Sequence, residues 1–224
     1  SGRPVLVVSR GRFGYAGANR ACMMSSAPVL EQQPSPNHGP RAGGVPVDIL
    51  LLHYTGMASG EGALAWLCNP ESQVSSHYLV FENGRTVQMV DEARRAWHAG
   101  KGVWAGAGDI NSRSIGIEIV NPGRNFGYRA FPPEQIAAVI ALCRGVIARH
   151  PVPPERVLAH SDIAPERKED PGELFPWEEL HAAGIGHWVA PAALTGGPVL
   201  RRGDGGKAVS ALQDRFRQYG YGLE

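Results

Sequence analysis

The sequence is short of the features that announce a special environment. It has three cysteines, Cys22, Cys68 and Cys143, widely spaced and without a CxxC pair. An odd, scattered set of this kind argues against a disulfide framework, and burial as small apolar groups is the expectation for Cys68 and Cys143, which fall in helix-like segments. No apolar run approaches the ~18 residues of a membrane-spanning helix. The net charge is only +1, from 22 basic and 21 acidic side chains. That removes the electrostatic case for nucleic acid or an anionic membrane surface and points to an uncharged or balanced partner. No HExxH is present, so the helical zinc-peptidase signature is missing. With 43% hydrophobic and 19% charged residues in 224, the chain has the composition of a globular protein able to bury a core without disulfides.

Three segments follow from composition. Residues 1–35 read as an extended N-terminal arm. Its PVLVV run is too short for a signal-peptide core, and arginines follow it. Ser1-Gly2 and Leu223-Glu224 read as cloning remnants, with Met23 or Met24 as a candidate start. Residues 36–190 read as the main domain. Residues 191–224 read as a linker, PAALTGGP, followed by an amphipathic helix with Val209, Leu212, Gln213, Phe216 and Tyr219 on one stripe. A lone helix of that length is marginal in water, so it either docks on the main domain or begins a larger module.

Within the main domain, VDILLLHYTG has the length and flanks of a buried strand. SGEGALAWLCN reads as a helix with Ser59 as N-cap and Ala63, Leu64, Leu67 and Cys68 on one face. SSHYLVFENGRTVQMV reads as a hairpin turning at Asn83-Gly84. In SRSIGIEIVN, Ile115, Ile117 and Ile119 alternate with Gly116, Glu118 and Val120. PPEQIAAVIALCRGVIARH is a helix opened by proline, with an apolar stripe through Ile136, Val139, Ile140, Cys143, Val146 and Ile147. ERVLAHSD is a last short strand and WEELHAAG a short helix. Strands alternating with helices, but including a hairpin, predict an α/β fold with a central mixed β-sheet flanked by helices.

Two histidines stand at the ends of these strands, His53 after Asp48–Leu52 and His160 after Val157–Ala159. Strand ends are where open sheets place ligands and catalytic groups. Asp170 lies in the proline-kinked, charge-dense segment that follows His160. Two imidazoles and a carboxylate can give zinc three protein ligands and leave a fourth position for water. Such an ion would pin both ends of the SDIAPERKED excursion; the plain alternative is a solvated loop between packed histidines. Glu118, in mid-strand, is costly unless paired or functional and could serve as a general base. Lys168, two residues before Asp170, could stabilise a developing oxyanion.

The ordered pieces LHYTG, SSHYLVFENGRTVQMV, RAWHAG, NSRSIGIEIVN and HSDIAPERKEDPG resemble the zinc-dependent N-acetylmuramoyl-L-alanine amidases of bacterial peptidoglycan recycling and of phage lysozyme-like enzymes. The resemblance covers roughly residues 36–188, and AHSDIAPERKEDPG is its most specific piece. It implies the amidase or peptidoglycan-recognition-protein-like fold, Zn2+ as cofactor with His53, His160 and Asp170 as ligands, and Glu118 and Lys168 as catalytic residues. The implied reaction is hydrolysis of the amide between the lactyl group of N-acetylmuramic acid, or its 1,6-anhydro form, and L-alanine. The implied partner is peptidoglycan or a muropeptide, in the cytoplasm or the envelope. Tyr54, His77, Trp97, His98, Asn111 and Arg113 are the further candidates for substrate contact, with Arg113 suited to a stem carboxylate. For His77 the better reading is a supporting or core position, since three ligands already leave the open site a catalytic zinc needs. Residues 200–222 resemble the first helix of a small peptidoglycan-binding module. The rival expectations are a non-catalytic peptidoglycan-binding protein on the same fold and a metal-free interaction domain with packed histidines.

Overall fold

The structure, a computed structural model, describes residues 30–191, 193 and 199–223. Most of the N-terminal arm, with Cys22 and both candidate start methionines, lies outside them. Among the described residues eight strands occur in chain order: β1 Leu30–Gln32, β2 His38–Pro40, β3 Ile49–Tyr54, β4 Tyr78–Val80, β5 Thr86–Gln88, β6 Arg94–Ala96, β7 Ser114–Ile119 and β8 Val157–Ala159. The helices are α1 Gly60–Leu67, α2 Ile110–Arg113, α3 Gly123–Phe126, α4 Pro133–Arg149, α5 His160–Ile163, α6 Trp177–Ala182 and α7 Lys207–Tyr219. Six strands form one sheet in the order β1-β5-β4-β7-β3-β8, and β2 pairs with β6 apart from it.

The sheet is mixed, as the alternation predicts. β4 and β5 are antiparallel across the Asn83-Gly84 turn, where Gly84 takes a φ of 83° that glycine adopts without steric cost. The pairs β4·β7, β7·β3 and β3·β8 are parallel. The arm does more than lead into the fold, because Leu30–Gln32 pair parallel with Thr86–Gln88 and extend the sheet by a strand.

The isoleucine alternation in β7 sets the two faces. Ile115, Ile117 and Ile119 join Leu50, Leu52, Tyr78 and Val80 in one core against Ile136, Val139, Leu142, Cys143 and Val146 of α4. Each fully buried aliphatic side chain there contributes about 1.5–3 kcal/mol of transfer free energy. Pro133 opens α4 at a position whose N–H has no intrahelical partner to lose. Gln135 is buried behind it and donates to the carbonyls of Val80 and Val120 at 3.1 and 2.8 Å, fastening the helix start to the ends of two strands. On the opposite face Leu79 and Val87 meet Leu64 and Leu67 of α1. Ser59 caps α1 by accepting from the Gly62 amide at 3.1 Å.

α7 has no buried residue. It meets the body at its C-terminal end, where the Ala105 amide donates to the Gly220 carbonyl at 2.7 Å. The Tyr221 ring packs edge-on to Trp104, and its hydroxyl donates to Asp162 at 2.7 Å. Leu212 and Phe216 of the predicted stripe remain exposed. Among the described residues no helix is long and apolar enough to cross a membrane.

Candidate metal centre and cleft

β3, β7 and β8 are parallel, so their carboxyl ends open on the same edge. His53 in β3 is the register partner of Glu118 in β7, and partners on neighbouring strands project to the same face. His160 follows β8 directly and opens α5, a single turn rather than more strand. Asp170 arrives from the loop beyond. The Ser161 amide donates to the Asp170 carbonyl at 3.1 Å, and the Lys168 amide to the Ala164 carbonyl at 2.9 Å. Tyr128 donates to the Pro171 carbonyl at 2.8 Å, and Arg124 bonds Glu169 and Glu173 at 2.8 and 2.6 Å. These bonds hold the charge-dense segment still.

The loop and the strand ends bring three ligand atoms together. The two Nδ1 atoms of His53 and His160 are 2.9 Å apart. Each is 3.1 Å from Asp170 Oδ2. All three residues are buried, and they can offer one ligand atom each to a single ion. The chemistry of the donors fits one. His160 Nε2 lies 2.9 Å from the Ala99 carbonyl; a carbonyl only accepts, so this nitrogen carries the proton and Nδ1 presents its lone pair. Lone pairs aimed at a carboxylate oxygen call for a cation between them, and imidazole and carboxylate are zinc-type ligands. Burial, and then the neighbouring His160, lowers the His53 pKa to about 4, which keeps the imidazole neutral and ready to ligate.

Glu118 stands beside this trio with Oε2 enclosed and without a hydrogen-bond partner among the described residues. Burial, and then the charge of Asp170, raises its pKa well above the ordinary carboxylate value, and Lys168 opposes the rise. An enclosed carboxylate oxygen without a partner is unfavourable in a merely structural role. Together these groups floor a cleft of about 700 Å³. Its lining includes Met57, Trp66, Val74 and Trp97 together with the charged run Glu166–Asp170.

Of the predicted substrate contacts, Tyr54, Trp97 and His98 line this cleft, with the Tyr54 hydroxyl donating to Glu169 at 3.0 Å. The other three are employed elsewhere. His77 is fully buried; its Nδ1 accepts from the Gly116 amide at 2.9 Å and its Nε2 lies 3.1 Å from the Arg94 carbonyl. Asn111 is buried too, and its side-chain oxygen accepts from the His98 and Ala99 amides at 3.1 and 2.9 Å, shaping the WHAG loop from behind. Arg113 sits at the opposite end of β7, in an ion pair with Asp48 that Arg156 shares. A stem carboxylate in the cleft is out of its reach, and the expected peptide contact gives way to a structural one.

Two wall residues escaped the sequence reading. Trp66 is 47% exposed although it lies within α1; an aromatic out of phase with the Ala63, Leu64, Leu67 stripe was its signal. Arg167 donates to the carbonyls of Ala99 and Lys101 at 3.0 and 2.6 Å, which nothing in its local sequence foreshadows.

Comparison with known proteins gives this geometry a lineage. Residues 43–173, more than half of the chain, match the family described as N-acetylmuramoyl-L-alanine amidase. The chain is 46% identical over 154 residues to the N-acetylmuramoyl-L-alanine amidase AmiD of Escherichia coli, covering 63% of this chain and 55% of that protein. It thus spans little more than half the length of AmiD. It is 31% identical over 166 residues to the 1,6-anhydro-N-acetylmuramyl-L-alanine amidase AmpD of Enterobacter cloacae, covering 66% of this chain and 87% of that one. Among solved structures, E. coli AmiD in complex with anhydro-N-acetylmuramic acid-L-Ala-D-γ-Glu-L-Lys superposes with a TM-score of 0.68 at 38% identity, over 82% of this chain and 76% of that one. The fold, the cleft and the match over more than half of its length agree: this chain belongs to the N-acetylmuramoyl-L-alanine amidase family.

Proposed function

We propose that the chain hydrolyses the amide joining the lactyl group of N-acetylmuramic acid, in its ordinary or 1,6-anhydro form, to the L-alanine of a stem peptide. His53, His160 and Asp170 would hold one Zn2+. The observation that carries this reading is the meeting of three ligand atoms within 3.1 Å of one another beside a carboxylate oxygen without a partner among the described residues. Bound there, zinc supplies Lewis acidity, drawing electron density from a carbonyl and acidifying water. Glu118 takes the proton from the attacking water and delivers it to the alanine nitrogen as the C–N bond breaks. Lys168, which also lines the cleft, faces the negative charge that develops on the carbonyl oxygen. The water is divided between the products: a free lactyl carboxylate and a peptide with a free amino terminus.

The cleft walls support a substrate that is half sugar and half peptide. Trp66 and Trp97 offer flat apolar surface of the kind that stacks on a sugar ring, and the Glu166–Asp170 run offers charge and hydrogen bonds to a peptide. AmiD and the Pseudomonas aeruginosa protein AmpDH3 were both solved with anhydromuramic peptides, which supports a muropeptide as the ligand class. The sequence resemblance of residues 200–222 to a peptidoglycan-binding helix favours the polymer or its larger fragments.

Mass spectrometry of digests tests the reading. Intact sacculi and purified anhydro-muropeptides are incubated with the protein, with and without a chelator. The expected products are intact stem peptides beginning at L-alanine, the two product masses together exceeding the substrate by one water, and their absence after chelation. Products cut within the stem would overturn the bond assignment. Unchanged substrate that nonetheless co-sediments with the zinc-loaded protein would mark it as a non-catalytic peptidoglycan binder.

A further inference from the structure

His98 is one ring removed from the trio and touches a ligand instead of being one. Its Nδ1 is 3.0 Å from His53 Nε2, and its Nε2 is 3.1 Å from the Ser114 hydroxyl. The Ser114 hydroxyl in turn lies 2.7 Å from the Ile110 carbonyl. The direction of every bond in this row follows from its last member. A carbonyl cannot donate, so Ser114 gives its single proton to Ile110 and can only accept from His98. His98 therefore carries its proton on Nε2, and its bare Nδ1 accepts from His53 Nε2. That fixes the His53 proton on the side away from the cleft and leaves the Nδ1 lone pair facing His160 and Asp170. All three side chains are buried, so water does not compete for these bonds. The row also explains the glycine of SIGIE: a Cβ on Gly116 would stand 2.5 Å from His98 Cγ and Nδ1, closer than any real contact, so only glycine lets the ring lie against β7.

We propose that Ser114 and His98 form a proton-directing row, anchored on the Ile110 carbonyl, that holds His53 in the one neutral tautomer able to ligate a metal through Nδ1. His98 is then a positioning residue, and its contribution is separate from contact with sugar or peptide. The proposal rests on the reading of His53 as a metal ligand. It applies to this chain the rule that a ligating histidine is oriented by the partner of its other nitrogen, whose loss lowers metal affinity by about 10–100-fold.

Two measurements decide it. Long-range 1H–15N spectra of the metal-free, 15N-histidine-labelled protein at pH 8 report which nitrogen of each ring is protonated. The row requires Nε2–H at both His53 and His98. In Ser114→Ala the anchor is gone, His98 is free to carry its proton on Nδ1, and His53 is expected to populate the Nδ1–H form. Zinc affinity, read by competition with a chromophoric chelator, should fall by about 10–100-fold in Ser114→Ala and in His98→Phe, which keeps a ring and removes both nitrogens. Circular dichroism confirms that the variants are folded. A wild-type His53 protonated on Nδ1, or a folded Ser114→Ala binding zinc within twofold of wild type, would overturn the proposal. A wild-type chain that binds no zinc would instead overturn the metal reading, with the tautomer spectrum judging the hydrogen-bond row independently.

Discussion

Glu118→Gln is expected to bind zinc as the wild type does and to lose turnover by roughly 10²–10⁴-fold, the range general acid–base groups supply. The argument starts from position. Glu118 is the register neighbour of His53, so its carboxyl reaches the trio without belonging to it. Its enclosed Oε2 has no partner among the described residues, which means that replacing the oxygen by an amide breaks no hydrogen bond there. Removing the charge of a half-buried carboxyl of raised pKa should leave stability unchanged or improve it. Activity and stability therefore move differently, as they would not if Glu118 were a structural carboxylate. The pH profile gives the sign. The carboxyl must begin ionised to accept the proton, so activity falls as pH drops through its raised pKa. This acid limb should lie above the ordinary carboxylate value and disappear in the residual activity of Glu118→Gln. Near-wild-type kcat in that variant would remove Glu118 from the proton path.

Asp170→Ala is expected to lose both zinc and turnover while the fold persists. Asp170 supplies the anionic member of the trio, and the remaining pair of neutral imidazoles is a weaker and incomplete site. The loop carrying it is held by bonds the substitution leaves intact: the Ser161 amide to the residue 170 carbonyl, Tyr128 to the Pro171 carbonyl, and the Arg124 ion pairs. A zinc titration followed by thermal unfolding separates the two effects. Ligand binding to the native state raises the wild-type midpoint with zinc concentration. In Asp170→Ala that rise should vanish, and the metal-free midpoint should stay close to wild type. A variant that kept its zinc-dependent rise would show that the ion binds elsewhere.

The pattern of these residues explains what was legible beforehand. The isoleucine alternation of β7 and the stripe of α4 are local periodicities, and each states its buried face directly. The trio was legible because His53 and His160 end apolar runs, where parallel strands place their sites. Arg113 was misread for a related reason. It sits in the same NSRSIGIE motif as Glu118, but five residues of strand at about 3.3 Å each carry them roughly 16 Å apart, so one faces the cleft and the other Asp48 at the far end. Asn111 is expected from its polar type to reach the peptide, whereas it serves backbone groups behind the cleft; His77 takes the supporting position that was its better reading. β1 escaped because a three-residue strand paired with residues more than fifty positions away leaves no local signature. The role of Gly116 needed three dimensions, since only the packed His98 ring shows why a side chain is forbidden there.

The most direct measurement is an anomalous difference map at the zinc edge from crystals of the zinc-loaded protein. The expected result is a single strong peak bonded to Nδ1 of His53, Nδ1 of His160 and a carboxylate oxygen of Asp170, with Glu118 close by but unbonded. A map with no peak there, or with these three side chains turned apart and the metal elsewhere, would contradict it.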